Sequence, residues 1–569
     1  MMVKNATCKL FKLITGAALL LWVNIAMGQE LLREKMFIHA DKNYYHSGEI
    51  AWLKIYVVDG TTNKAVNISK AVYVEVLDSA NNPVVQQVVA LDNGEGSGSF
   101  RVPAVQPGVY LLRGYTNWMK NFSPQLFFHE EIAIVNAQAS GKSFEAETRQ
   151  AGDSLEGRLR IGLAPDKKIY APRSKVRIGI TTSVPSGAPS PAHLSVAIYK
   201  MDSLVGRNPL SIASWFDDTA RAVAGSLRYP PEYNGRMVTG IITEKVTGSP
   251  APGVPVYLSA PGYSSGFYNC VSDAEGKIFF EMKEMAPFSS FIVKTWLVHD
   301  NIYSIQMDSP FFNGSTNWLE HAGFQQASHP ATLLDHSIGA QVQEMYRGDE
   351  QGNFIQRTAD SVPFFGRSDA AYQLDDYTRF SKMEEVFREY VAPVAVNRKD
   401  GKPQLNVYIL NTHTRFDRGP LILLDGYPVT DVEKLFSFDP LKVKSIGVVS
   451  RRYFRNGDVF DGIVNMETYS HDMNGYPVTS SATVITNQNT VAERKFISPV
   501  YDNDSSRASR LPDYRNVLFW SPDIQTDNTG KQYIEFYTSD IRGTFVVEVQ
   551  GLGINGEAGS SFTAFEVKR

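Results

Sequence analysis

The chain has 569 residues, a formal net charge of -4 and 43% hydrophobic residues, enough for several packed domains. Acidic and basic residues are interspersed, with no basic stripe to track a phosphate backbone and no polybasic block for anionic lipid, so nucleic acid is excluded as a partner class. Only Cys270 follows the N-terminal leader, so no intramolecular disulfide is available and packed cores must carry stability.

Lys4, Lys9 and Lys12 precede an apolar run over 13–23, and Ala26-Met27-Gly28 places small residues before Gln29. That is the layout of a secretory signal peptide over 1–28, with a mature chain beginning near Gln29. The run is too short to cross a membrane, so no transmembrane span is expected in the mature chain. Cys8 lies ahead of the apolar run and not at the cleavage point, which argues against a lipidated cysteine. Export to the periplasm or the outer membrane is the expected destination.

Frequent Gly and Pro, alternating segments and regularly spaced turn residues predict a mainly β fold of tandem β-sandwiches plus one small α+β unit. Over 29–137, strands are expected at 50–58, 72–77, 84–90, 98–102 and 109–116, with Ile50 and Trp52 alternating in and out. Turns are expected at Ser47-Gly48, Asn93-Gly94 and Pro107-Gly108. Asp41, Lys42, Tyr45, Gly48 and Glu49 match the D-K-x-x-Y-x-x-G-E signature, so this segment resembles the second macroglobulin-like (MG2) domain of the α2-macroglobulin family. Residues 113–119, Arg-Gly-Tyr-Thr-Asn-Trp-Met, look like the version found in large envelope proteins of Bacteroidetes-type bacteria. Asp166, Lys167 and Tyr170 echo the motif and suggest a second macroglobulin-like sandwich over 150–230. Arg173 and Ser174 stand where the first copy has Gly48 and Glu49, so a different turn is expected there.

Residues 235–310 resemble a carboxypeptidase-regulatory-like sandwich, through 252–258 and the Ser272-Asp273-Ala274-Glu275-Gly276 turn. Residues 311–364 are polar and weakly periodic, and read as a linker. A helix is expected over 381–390, capped by Ser381 with Glu384 closing a capping box and Met383, Val386, Phe387 and Tyr390 on one face. With the strands at 404–410, 421–424, 443–449 and 462–466, it makes 365–470 an α+β unit that resembles the plug domain of TonB-dependent outer-membrane receptors. The Y-G-x-R loop of that family is missing. A receptor barrel needs roughly 22 strands of about 10 residues, more than the residues after 467 supply, so no pore is expected. Residues 471–512 read as a second linker. Residues 513–569 resemble a macroglobulin segment and are expected either to be completed by strands over 476–496 or to pack on an earlier domain with the plug-like unit inserted between.

Motifs with catalytic potential are weak. Gly262-Tyr263-Ser264-Ser265-Gly266 has the nucleophile-elbow spacing, but the residues after it read as a strand where that device needs a helix. Gly551, Gly553 and Gly556 match a dinucleotide fingerprint without room for its second strand, and read as a hairpin. His129-Glu130-Glu131 lacks a second histidine, and Asp502-Asn503-Asp504 lacks the spaced acids of a calcium loop. Cys270 is not in the GCGEQ thioester motif of covalent protease traps. No cofactor, no metal and no enzymatic activity are therefore expected.

What remains is binding. Arg451, Arg452, Tyr453, Phe454 and Arg455 combine planar donors with aromatic area and are the candidate contact residues for a partner, an envelope or outer-membrane protein. The competing reading of these five is a turn with its aromatics packed inward and its arginines solvated. The function expected is a non-enzymatic exported envelope protein. The alternative is a noncovalent macroglobulin-like protease inhibitor lacking a thioester, with 311–363 as bait.

Overall fold

The structure, a computed structural model, describes residues 32–135, 154–201, 210–217, 227–262, 266–283, 290–295, 302–315, 337–339, 341–342, 345, 363–412, 414–479, 482–486 and 494–568. The leader over 1–28 lies outside them. The described chain is mainly β, as its turn spacing predicts.

The first sandwich is built from β1 (Glu34–Ala40), β2 (Tyr44–His46), β3 (Ile50–Asp59), β4 (Ala71–Leu77), β5 (Pro83–Ala90), β6 (Glu95–Arg101), β7 (Gly108–Thr116) and β8 (Phe128–Val135). A sheet ordered β1-β3-β6 and a sheet ordered β2-β8-β7-β4-β5 share one apolar core. The D-K-x-x-Y-x-x-G-E residues run from the end of β1 through β2 to the start of β3 and share a polar network. Asp41 Oδ1 accepts from the Tyr45 hydroxyl (2.8 Å) and the Trp52 N–H (2.9 Å), while Lys42 Nζ donates to Glu49 Oε2 (2.7 Å). Gly48 takes φ 93°, a left-handed conformation that costs a glycine little. Strand β3 departs from the expected alternation: every residue from Ile50 to Val58 is buried. Its second face, through Ile50 and Trp52, packs on Tyr199, Trp520, Val546 and Phe562 of the next sandwich.

The next elements are β9 (Ser154–Gly157), β10 (Arg160–Pro165), β11 (Ile169–Tyr170), β12 (Lys175–Ser183), β13 (Ala192–Lys200) and α1 (Ile212–Asp217), a short helix that sends Ile212 and Phe216 into the first core. A third sandwich follows with β14 (Arg236–Glu244), β15 (Pro255–Ala260), β16 (Gly266–Val271), β17 (Lys277–Met282), β18 (Ser290–Thr295) and β19 (Tyr303–Met307). The α+β unit comprises β20 (Ala370–Gln373), α2 (Met383–Glu389), β21 (Val394–Lys399), β22 (Lys402–Val407), β23 (Leu421–Leu424), β24 (Tyr427–Pro428), α3 (Val432–Phe436), β25 (Val443–Arg455) and β26 (Asp458–Thr468). The chain then supplies β27 (Thr483–Thr486), α4 (Asp504–Arg507), β28 (Val517–Gln525), β29 (Lys531–Tyr537), β30 (Gly543–Gly553) and β31 (Ala558–Val567).

These last strands close sheets opened hundreds of residues earlier. β29 pairs with β12 from Lys175↔Tyr537 to Thr181↔Lys531, and β13 lies between β28 and β30. Segments 150–230 and 513–569 thus build one second sandwich instead of two separate units. Of the two arrangements open for 513–569, packing on an earlier domain is the one adopted. Likewise β27 pairs with β18 and completes the sheet β16-β15-β18-β27 of the third sandwich. The topology is nested: the second sandwich encloses the third in sequence, and the third encloses the α+β unit.

Several local expectations are corrected. Residues 471–512 are not a plain linker, since they contain β27 and α4 and bury Tyr476 and Tyr501. The described ends of 311–364 are packed, with Phe311 in the first core and Phe364 half-buried against the third sandwich and the α+β unit. The helix expected from Ser381 begins at Met383, and its N-cap is Lys382, which makes no side-chain cap bond. Glu384 pairs instead with Arg388 one turn on (2.8 Å). Arg173 does not change the turn. It adopts φ 54° where Gly48 is also left-handed, and its guanidinium is fixed by Asp540 at 2.7 Å.

In the α+β unit the sheet runs β20-β25-β26-β23-β24. Leu421 to Leu424 pair in parallel with Ile463 to Met466, and β25 runs antiparallel to β26. The helices cover one side, placing Met383, Phe387 and Leu435 against Ile446, Val448 and Val464.

Candidate functional site

The five candidate residues form the distal end of β25, not a loop. β25 and β26 outrun their neighbours, since β20 pairs only as far as Val448 and β23 pairs only from Ile463 onward. Beyond that point they continue as a two-stranded ribbon closed by Asn456-Gly457, whose φ values of 44° and 86° are the pair a tight hairpin turn needs. A register shift between Val449 and Arg452 turns the ribbon.

Alternation then divides the candidates. Tyr453 and Arg455 lie on the inner face and are spent within the chain. The Tyr453 hydroxyl donates to the Phe364 carbonyl (2.8 Å), and the rings meet edge to face at 5.7 Å. Arg455 stacks over Phe364 at 4.5 Å and donates to the Phe267 carbonyl (2.9 Å). The turn itself docks on β16: Asn456 Nδ2 donates to the Asn269 carbonyl (3.1 Å), and Asn269 Nδ2 donates back to Asp458 (2.7 Å). The Tyr257 hydroxyl also donates to Asp458 (3.1 Å), and burial pushes that phenol well above its ordinary range. The inward packing of the competing reading thus applies to Tyr453, within a strand.

On the outer face, Phe454 is 69% exposed, and its cross-strand partner Val459 is 41% exposed. Arg451 reaches Asp369 (3.2 Å) and Arg452 reaches Asp461 (2.7 Å), with about half of each arginine side chain still in water. Asp461 is buried and the Arg452 guanidinium also lies over the Phe416 ring at 5.7 Å, so the group is held in place while about half of the side chain stays exposed. Sequence reasoning missed Val459 and the docking partners Phe267, Asn269 and Phe364. The signal for the ribbon was present, because Asn-Gly between extended residues is the strongest short-range mark of a hairpin.

The other motifs are structural. Gly266 opens β16, so a strand stands where a nucleophile elbow needs a helix; residues 263–265 lie outside the described ones. The Gly551 to Gly556 segment is the hairpin between β30 and β31. Asn503, between two acids, caps α4. Burial pushes the Cys270 thiol up to about 11 and His129 down to about 4. Among the described residues no group of three or more His, Cys, Asp or Glu side chains could hold a metal, and no helix is long and apolar enough to cross a membrane.

No family model matches the chain, and no curated protein matches it in sequence. Among solved structures it is similar to Escherichia coli alpha-2-macroglobulin activated by porcine elastase, at 10% identity and a TM-score of 0.24, over 94% of this chain and 44% of that one. The native conformation of the E. coli protein matches at 11% identity and a TM-score of 0.25, over 95% and 40%. The Escherichia coli adhesin FdeC matches 44% of this chain and 65% of its own, at 12% identity and a TM-score of 0.15. The chain spans less than half the length of these macroglobulins.

Proposed function

We propose that this chain is an exported, non-enzymatic envelope protein that binds another protein at or near the outer membrane, as an accessory to an outer-membrane transport or surface system. The surface we assign to that binding is the outer face of the β25–β26 ribbon. One observation carries the reading: Phe454 stands exposed beside Val459 and two half-exposed arginines, on a ribbon whose inner face is anchored by Tyr453, Arg455 and Asn456. Aromatic area and arginine on a rigid base are the mixture that dominates interface hot spots, and anchoring lowers the ordering cost of binding. The leader supports export, and the plug-like and regulatory-like resemblances belong to the same proposal. A raised Cys270 pKa is the opposite of what a thiol nucleophile needs.

A photo-crosslinking residue placed at Phe454 in the native cell tests this. One discrete cross-linked protein is expected there, and none from the same residue at Val246, which is 97% exposed on the third sandwich. Equal products from both positions, or none from Phe454, would remove the ribbon from consideration. The alternative, a noncovalent protease inhibitor with 311–363 as bait, predicts that cleavage there compacts the protein and retains active protease on gel filtration.

A further inference from the structure

The Arg113 to Asn121 stretch, with its Y-T-N-W-M-K-N run, grips both segments that flank the main run of the third sandwich. On the incoming segment, Asn121 Oδ1 accepts from the N–H groups of Arg228 (2.8 Å) and Tyr229 (2.9 Å), and Asn121 Nδ2 donates to the Tyr229 carbonyl (2.6 Å). Asn117 Nδ2 holds the Pro230 carbonyl (2.8 Å). On the outgoing segment, Lys120 donates to the Pro310 carbonyl (2.6 Å), and the Phe312 N–H donates to the Tyr115 hydroxyl (2.7 Å). Arg113 reaches the Phe312 and Gly314 carbonyls, both at 3.2 Å.

Between the two grips lies a buried ionisable cluster. Glu34 accepts from Ser69 and Thr116, and Glu232 accepts from the Tyr73 hydroxyl (2.9 Å) and the Met237 N–H (2.7 Å). Their second oxygens, Glu34 Oε1 and Glu232 Oε2, are buried without a hydrogen-bond partner. Glu75 takes the charge of Arg113 at 2.6 Å, and Lys120 lies over Tyr73 and Tyr229. Arg236 on β14 faces Tyr73 and Glu232, His129 on β8 faces Arg113, and Arg33 and Lys35 line a cavity of about 60 Å³ beside Glu34.

We propose that this cluster is a conformational switch: ionisation of Glu34 and Glu232 opens the clamp and lets the third sandwich, with the α+β unit it carries, move relative to the first. The inference does not depend on the binding surface proposed above. Two carboxylates with unpaired buried oxygens are tolerable while protonated and costly once charged. Burial pushes both up to about 7, with the charge of Glu232 adding to the effect on Glu34. The open, solvated state has ordinary carboxyls near 4.5, so the closed state holds more protons between about 4.5 and about 7 and closing weakens across that window. Burial lowers Lys120 to about 8 from 10.5, so between those values the open state holds more protons and closing strengthens again. The clamp is weakest between about pH 7 and 8.

The test uses the full mature chain with Cys270→Ser and donor and acceptor dyes on cysteines introduced at Thr62 and Val246. The inter-dye distance is expected to shift between pH about 5.5 and about 7.5, while the E34Q/E232Q double variant keeps its acid-side distance throughout. An unchanged distance in the parent, or the same shift in the double variant, overturns the switch. If the double variant does not fold, hydrogen exchange on the parent decides. The Arg228, Tyr229 and Phe312 amides should lose protection ~10-fold or more across that pH change, corrected for intrinsic rates, with β4 and β7 unaffected. No loss, or equal loss in those strands, overturns it.

Discussion

The two copies of the D-x-x-x-Y turn, one in each of the first two sandwiches, solve the same problem with different materials. In both, the aspartate accepts a tyrosine hydroxyl four residues on and a backbone N–H eleven residues on. In both, the residue seven positions after the aspartate is left-handed, as Gly48 at φ 93° and Arg173 at φ 54°. The first copy is buried and needs no outside help. The second is more exposed and is tied to the C-terminal part of the chain, because Arg173 donates to Asp540 and to the Arg507, Ser509 and Leu511 carbonyls. The polar geometry of the turn is therefore separable from glycine, provided a distant partner holds the strained residue in place.

The largest expected effect breaks the buried copy. Asp41→Ala removes the acceptor of the Trp52 N–H and of the Tyr45 hydroxyl in a site with no exposure. Tyr45 keeps its bond to the Lys42 carbonyl, while Trp52 is left with a buried unpaired donor. A loss of about 2–4 kcal/mol is expected by chemical denaturation followed through the first sandwich. A change under about 1 kcal/mol would show that the network is dispensable.

Arg173→Gly comes next and tests the exchange of glycine for a tether. Glycine relieves a left-handed conformation that costs a side-chain-bearing residue roughly 1 kcal/mol. The same change removes a bidentate ion pair, 11% and 26% exposed, and three bonds to carbonyls. Charge-assisted bonds of this kind outweigh the relief, so a net loss of about 1–2 kcal/mol is expected, with earlier protease access at 507–513. Stabilisation by Arg173→Gly would mean that the tether contributes nothing.

How far this was legible from the residues differs by element. The strand over 72–77 appears as Ala71–Leu77 because its alternation and its flanking turns are local information. The signature residues Asp41, Tyr45 and Gly48 marked the first turn for the same reason. The closure of the second sandwich by β28 to β31 was left open, since the register of Lys175 on Tyr537 is a long-range choice that no local pattern encodes. The unbroken burial of Ile50 to Val58 had a clue in its apolar run, interrupted by Lys54 alone, but the covering face, Trp520 and Phe562, lies more than 400 residues away in sequence. At the candidate site, the residue types at 451–455 were readable and their division between faces was not. It required knowing that they form a strand and that Phe364 and Phe267 meet its inner side.

The smallest expected effect sharpens the comparison through pH. Burial raises Asp41 to about 6, outweighing Lys42 and the hydrogen bonds that pull it down. The native state therefore holds that proton longer than the unfolded chain, and the contribution of Asp41 falls as pH rises from about 4 to about 6. Asp166 has the opposite sign: its slight burial acts upward, but the bonds from the Arg177 N–H and the Tyr170 hydroxyl win and lower it. Its contribution is present above the ordinary aspartate range and fades as pH falls through its lowered value. Asp41→Asn should therefore flatten the decline of first-sandwich stability between about pH 4 and 6, and Asp166→Asn should reduce the acid-side loss of the second. The second effect should be the smaller because water screens an exposed carboxylate, whose bonds are worth about 1 kcal/mol or less. Amide exchange read separately at Trp52 and Arg177 across that range distinguishes them. The same sign of pH dependence at both amides would show that burial does not separate the two turns.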